Sequence, residues 1–258
     1  MPRETVGKTL FVAFAVCVFF SVLVSAAAVI LRPVQEVQKV LDKKRNILSA
    51  AGLLEDGKSI DEQYANIEAR VIDLATGEYV AGVDAQAFDA RQAARDPESS
   101  QAIPADRDRA GIKRRAKQAC IYLVREGDAI DKVILPIYGK GLWSTLYGFI
   151  ALDADDANTI RGLVYYEHGE TPGLGGEVDN PRWQALWNAK RVFDAAGQLR
   201  ISVVKGQVDP SRPGAQHQVD GLSGATITSR GIHDMLQYWL SADGFGPYIN
   251  RLKTHGVG

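Results

Sequence analysis

The sequence predicts an α+β protein: an N-terminal transmembrane helix, then a largely antiparallel sheet domain with helices grouped at one side. Three observations carry this. Residues 9–31 are apolar and hold no charge. The middle of the chain alternates short apolar stretches with glycine turns. Residues 229–253 repeat apolar side chains at helical intervals.

The apolar run reads T-L-F-V-A-F-A-V-C-V-F-F-S-V-L-V-S-A-A-A-V-I-L. About 23 residues at ~1.5 Å each give roughly 34 Å of helix, enough to cross a bilayer core. It is apolar on every face, unlike a surface helix. Residues 1–8, with Arg3 and Lys8, form a short tail before it, and Arg32 and Pro33 end it. A cleavable signal peptide is the rival reading, with Ala26, Ala27 and Ala28 as a small-residue cleavage site. The run continues through Val29, Ile30 and Leu31, which favours a retained anchor. Arg32, Lys39, Lys43, Lys44 and Arg45 make the following flank the more basic one. Read literally, the positive-inside rule would put the body in the cytoplasm. Long domains translocate largely regardless of flank charge, so charge does not decide the orientation.

The remaining 225 or so residues suffice for one large domain or a domain with an appendage. The chain is 46% hydrophobic and 24% charged, with net charge −1. That balance implies no broad basic face for nucleic acid. Cys17 lies in the span and Cys120 outside it, so no intradomain disulfide is expected and there is no CxxC pair. His168, His217, His233 and His255 show no ligand spacing, which argues against a zinc or haem site.

Residues 32–111 read as a stalk and connecting α/β region, and residues 112–258 as the main domain. Residues 35–54 look helical. Ser59 and Glu62 form a capping box for a short helix through Ile67. Residues 70–74 and 78–82 read as a hairpin around Ala75-Thr76-Gly77, and residues 84–108 as a loose connector. Strands follow at 119–125, 132–138, 145–152, 159–167 and 199–204, with a glycine turn at 139–141. Pro181 opens a helix over 181–190. Helices over 229–241 and 245–253 close the chain. In the first of these Ile232, Met235, Leu236, Trp239 and Leu240 mark one buried face.

Residues 220–229, D-G-L-S-G-A-T-I-T-S, are the most informative stretch. A glycine–hydroxyl turn at a helix start offers unpaired N–H groups and the positive end of the helix dipole, a site for an anion. Four hydroxyls (Ser223, Thr226, Thr228, Ser229) exceed what one N-cap needs, although capping alone is the alternative reading. Residues 168–178, H-G-E-T-P-G-L-G-G-E-V, allow close backbone approach to a flat or phosphorylated ligand. They also suit an ordinary strand–loop–helix connection. Trp143, in G-K-G-L-W, stacks on a ring or fills the core. Neither a Walker A nor a G-x-G-x-x-G sequence is present. G-L-S-G-A approaches the hydrolase elbow G-x-S-x-G, but its last position is Ala225 and a Pro-, Gly- and Gln-containing loop replaces the preceding strand.

Taken together, the anchor, E-T-P-G-L-G and D-G-L-S-G-A-T-I-T resemble the FMN-binding domain family. The resemblance covers nearly the whole chain and is most specific for the branch formed by the C subunits of bacterial sodium-translocating NADH:quinone oxidoreductases. It implies FMN joined through its phosphate to the hydroxyl of Thr226. It implies recognition of Asp220, Ser223, Gly224 and Ala225 by a flavin transferase, and groups Thr228 with the cofactor-binding positions. Glu170, Thr171, Leu174 and Gly175 match the loop that lines the flavin. Trp143 and Lys205 fall in the same pocket, where the Lys205 charge would stabilise the reduced ring. The resemblance further implies an electron relay among the other subunits of a membrane complex. It places the protein in the bacterial inner membrane, single-pass, with the C-terminal domain periplasmic. No catalytic or metal-binding residue and no turnover of the isolated chain are expected. Two alternatives stand beside it: the G subunit of the related ferredoxin:NAD ion-translocating complex, and an anchored non-redox binding or assembly domain in which Thr226 only caps a helix.

Overall fold

The computed structural model describes residues 6–256; the first five residues of the short tail lie outside them. The chain divides into two compact units, one up to Lys43 and one from Lys44 onward. Helix α1 spans Val6–Ala51 without a break. Sequence reading ends the membrane span at Arg32 and Pro33 and has the helical residues 35–54 continue out of it as a stalk or pack on the domain. Pro33 instead lies inside α1. Proline removes one hydrogen bond of the ladder, and the good helix formers that follow, such as Gln35, Glu36, Gln38 and Lys39, carry the helix on. In the first unit the large apolar side chains are exposed, Phe11, Phe14 and Phe19 among them. Water would not tolerate such a surface, whereas lipid would.

In the second unit the last turns of α1 bury Ile47, Leu48, Ala50 and Ala51. Helix α2 (Ile60–Tyr64) follows, but Ser59 makes no side-chain cap bond. Gln63 closes that turn instead, its Oε1 accepting from the Glu55 amide at 2.7 Å. Strand β1 (Ile67–Asp73) is longer than its hairpin reading and pairs along its length with β4 (Gln118–Glu126). Its expected hairpin partner contributes the single bridge Ile72↔Tyr79. The segment 84–108 is more ordered than its polar, alanine-rich composition suggests. It forms α3 (Ala90–Arg95), capped by Asp89, and β2 (Ser100–Ala102), which pairs with β3 (Arg114–Ala116).

Strands β5 (Ala129–Lys140), β6 (Thr145–Asp153) and β7 (Ile160–Glu167) complete an antiparallel sheet of order β1-β4-β5-β6-β7. The sheet therefore draws its edge strand from residues well before 112. Strand period 2 sends alternate residues to opposite faces. Ile121, Leu123, Leu135, Ile150 and Leu163 join the core that holds the C-terminal helices. Cys120, Tyr122, Ile134, Phe149 and Val164 join the core built on the end of α1. The sheet is thus covered on both faces.

The β4–β5 ladder stops at Tyr122↔Ile134, short of Pro136. Proline has no N–H for a ladder. Beyond it, Trp239 Nε1 donates to the Tyr138 carbonyl at 2.6 Å, and the Lys140 amide donates to Ala110 at 2.8 Å. β5 thereby extends into the expected 139–141 turn, as far as Lys140. Arg91 of α3 lies over the Tyr147 ring at 3.7 Å and grips Glu167 through both guanidinium nitrogens, at 3.0 and 2.6 Å.

Two expected elements shrink. Helix α4 is only Pro181–Ala185, opened by Pro181 and capped by Asn180. The strand expected over 199–204 is β8 (Ser202–Val203), which pairs in parallel with β9 (Gln218–Val219). Helix α5 (Thr226–Trp239) starts three residues earlier than the apolar periodicity indicates, because Thr226, Ile227 and Thr228 already hold helical geometry. Helix α6 (Gly246–His255) ends the fold.

Gly77 combines φ +73° with a site where a Cβ would lie 2.5 Å from the Tyr248 amide nitrogen. Both the backbone sign and the close approach demand glycine. We expect Gly77→Ala to destabilise the domain by at least about 2 kcal/mol, read as a fall in thermal midpoint. An unchanged midpoint would show that residues 75–78 do not depend on α6.

Candidate functional site

Three segments far apart in sequence meet at the start of α5. They are the G-K-G-L-W loop after β5, the loop after β7, and the D-G-L-S-G-A-T turn. Glu170 holds them together. Its side chain is buried, with 5% of its surface exposed. Its carboxylate accepts from the amides of Leu142, Trp143 and Ser144 at 3.3, 3.0 and 3.2 Å, and from the Thr228 hydroxyl at 2.6 Å. Ser144 Oγ in turn accepts from the Gly169 amide at 2.7 Å.

Burial alone pushes the Glu170 carboxyl up. The hydrogen bonds from Thr228 and from the Trp143, Ser144 and Leu142 amides outweigh that and hold its pKa below the ordinary glutamate value. Glycines make the packing possible. At Gly175 a Cβ would meet Thr228 Oγ1 at 2.7 Å and Glu170 Oε2 at 2.8 Å; at Gly141 it would meet Glu170 Oε1 at 2.6 Å.

Thr226 is the first residue of α5, and its side chain is exposed. Ala225 sits at the N-cap with no side chain able to cap. Among the described residues the amides of Thr226, Ile227 and Thr228 find no acceptor, while the next, Ser229, bonds to Ala225 at 2.9 Å. Unpaired amides at the positive end of a 14-residue helix suit an anion. Gly224, at φ +70°, turns the chain into the helix, with Leu174 packed against it. Ser223 is exposed and makes no hydrogen bond to a histidine among the described residues, so the hydrolase constellation is not assembled.

The sequence-derived residues take different stations. Thr226, Ser223, Thr171, Leu174, Trp143 and Lys205 are exposed around the turn. Trp143 is 67% exposed, so it does not fill the core. Glu170 and Thr228 are buried and spend their polar atoms on the protein, which makes them the back wall of the site. Asp220 Oδ1 accepts from the Val208 amide at 2.8 Å and its carbonyl accepts from Trp183 Nε1 at 2.9 Å, so it fixes the incoming loop. Gly175 and Ala225 are buried beneath the surface loops. Large apolar side chains remain exposed nearby: Leu142 41%, Leu174 44% and Ile227 58%.

Sequence reasoning did not assign Arg230 and His233 to this site. They line a recess of about 230 Å³ together with Thr226, Ser229 and Lys205. Their spacing from Thr226, i+4 and i+7, was the available signal.

Residues 141–241 match the family model described as FMN-binding domain, so the loop cluster and most of α5's surroundings fall within a domain of that class. The sequence is 49% identical over 255 residues to the C subunit of the Na(+)-translocating NADH-quinone reductase of Pseudomonas aeruginosa, covering 97% of each chain. It is 48% identical over 259 residues to the protein of the same name from Yersinia pestis, covering 98% of this chain and 96% of that one. The crystal structure of Shewanella oneidensis NqrC superposes with a TM-score of 0.76 at 38% identity, covering 84% of this chain and 99% of that one. The chain belongs to the family formed by the C subunits of Na(+)-translocating NADH-quinone reductases.

Glu170 generates a test. A carboxyl whose folded pKa is depressed stabilises the fold above its unfolded value and loses that contribution as pH falls through the folded value. We expect the wild-type thermal midpoint to drop progressively below pH 4.5, the ordinary glutamate value. Glu170→Gln should lower the midpoint at pH 7 by the equivalent of about 2 kcal/mol and flatten the acid limb. Superimposable acid limbs for the two proteins would remove Glu170 from this role.

Proposed function

We propose that this chain carries FMN covalently, through its phosphate, on Thr226, and relays electrons within a sodium-translocating NADH:quinone oxidoreductase. The observation that carries the reading is the exposed Thr226 hydroxyl at the mouth of an uncapped helix, inside the segment that matches an FMN-binding domain. The residues around it fit the two halves of FMN. Free α5 amides and Arg230 suit the phosphate, and so does Lys205, expected from the sequence to act on the reduced ring but lining the same recess as Thr226. Leu142, Trp143, Leu174 and Ile227 offer exposed apolar surface for a flat ring system. Bound FMN supplies the electron chemistry. The chain fixes its position and excludes water from one side of it.

Within this reading residues 112–258 hold the flavin and residues 32–111 connect it to the anchor at residues 9–31. Asp220, Ser223, Gly224 and Ala225 present Thr226 to a flavin transferase. The exposed apolar helix supports single-pass anchoring in the bacterial inner membrane, and we place the C-terminal domain on the periplasmic side. Near-complete coverage of relatives named for the quinone reductase favours that complex over the ferredoxin-linked one.

The decisive variant is Thr226→Val, made in a host that supplies flavin transferase. It removes the hydroxyl and keeps the shape of an exposed side chain, so stability should change by no more than about 0.5 kcal/mol. In-gel fluorescence of the denatured wild-type band and an FMN mass increment on its Thr226 peptide are expected, with neither in the variant. Flavin retained covalently by the variant would overturn the assignment. For orientation, protease added to spheroplasts should cleave the domain. Protection of the domain while outer controls are cut would place it in the cytoplasm.

A further inference from the structure

The recess beside Thr226 contains basic groups that neither glycine motif includes. Thr226, Ser229, Arg230 and His233 share one face of α5. Helical side chains lean toward the N-terminus, so Arg230 leans toward the Thr226 hydroxyl one turn before it, and His233 toward Arg230. Lys205 stands on the opposite wall. Gly221 lets that wall approach, because a Cβ there would strike the Val204 carbonyl. Arg230 and Lys205 are both exposed, and neither has an anionic partner among the described residues. Two cations on one recess repel unless an anion lies between them.

His233 adds a donor of fixed sense. Its Nδ1 is sealed from solvent with no partner, while Nε2 is not sealed. A protonated ring would bury an unpaired N–H at Nδ1, which is costly. Burial is the main influence lowering its pKa; Asp234 on the same helix acts upward and Arg109 downward. The neutral ring therefore keeps its proton on Nε2, where it can donate.

We propose that Arg230 and His233, with Lys205 opposite, form the pocket for the phosphate end of the flavin and take its anionic oxygens. The proposal rests on the flavin reading above and adds residues and a direction to it: the phosphate lies along α5 toward His233, and the apolar ring falls to the Trp143–Leu174 side. A site built this way distinguishes FMN from riboflavin, which lacks the phosphate.

The test uses the full-length chain in detergent, made without a transferase so that Thr226 stays unmodified. Binding of FMN and of riboflavin is measured side by side by flavin fluorescence quenching. A charge-assisted phosphate contact corresponds to roughly a 10- to 100-fold preference for FMN. Arg230→Gln should lose at least about 10-fold of it, His233→Gln should lose part, and Arg230→Lys should restore part, all with riboflavin binding unchanged. An FMN preference that survives in Arg230→Gln and His233→Gln overturns the pocket while leaving the flavin assignment standing. In transferase-loaded protein the phosphorus NMR resonance of the adduct should move in both glutamine variants; an unmoved resonance is equally fatal to the pocket. Absence of any adduct in loaded wild-type protein would instead overturn the flavin reading itself.

Discussion

The buried carboxylate of Glu170 is the constraint on which the site depends. A charge this well hidden is tolerated only when its lone pairs are filled. Here three consecutive amides and a threonine hydroxyl fill them. The amides belong to the loop after β5, and the hydroxyl belongs to the first turn of α5. One side chain thus ties the loops after β5 and β7 to the start of α5, where Thr226 stands. The glycines at 141 and 175 follow from it, since a larger residue at either place would displace the carboxylate.

The sheet supplies the platform. Its two faces serve different tasks because strand residues alternate. One face buries the C-terminal helices, α5 among them, and so fixes the helix start that bears Thr226. The other receives the last turns of α1. The helix that begins as an apolar rod therefore ends as a core element of the folded domain.

Chemistry at the site divides by exposure. Polar groups that organise the loops, Glu170, Thr228 and Asp220, are occupied by the protein. Groups free to meet a ligand, Thr226, Lys205, Arg230 and the first amides of α5, are all compatible with negative charge. Apolar side chains that a soluble surface would normally bury lie next to them. A ligand with one anionic end and one flat apolar end satisfies both conditions at once.

Much of this was legible in the sequence, and the reasons are physical. The membrane helix followed from length and absence of charge. The central strands followed from alternation, and a helix start suited to an anion followed from a turn of glycines and hydroxyls before a helical repeat, whereas Thr226 was singled out only by the family resemblance. Local periodicity and turn chemistry are written in neighbouring residues, so a linear reading recovers them. What only the tertiary structure decided involves partners distant in sequence. Glu170 read only as part of a loop lining the flavin, and its bonds to residues 142–144 and 228 became visible in the folded chain alone. Pro33 looked like a helix end, and residues 84–108 a loose connector, until a continuous α1 and the Arg91–Glu167 grip showed otherwise. Arg230 and His233 carried no motif, and acquired a place only when α5 and the 203–206 segment enclosed a common recess. Long-range closure selects which polar groups are spent and which stay free, and no local pattern encodes that choice.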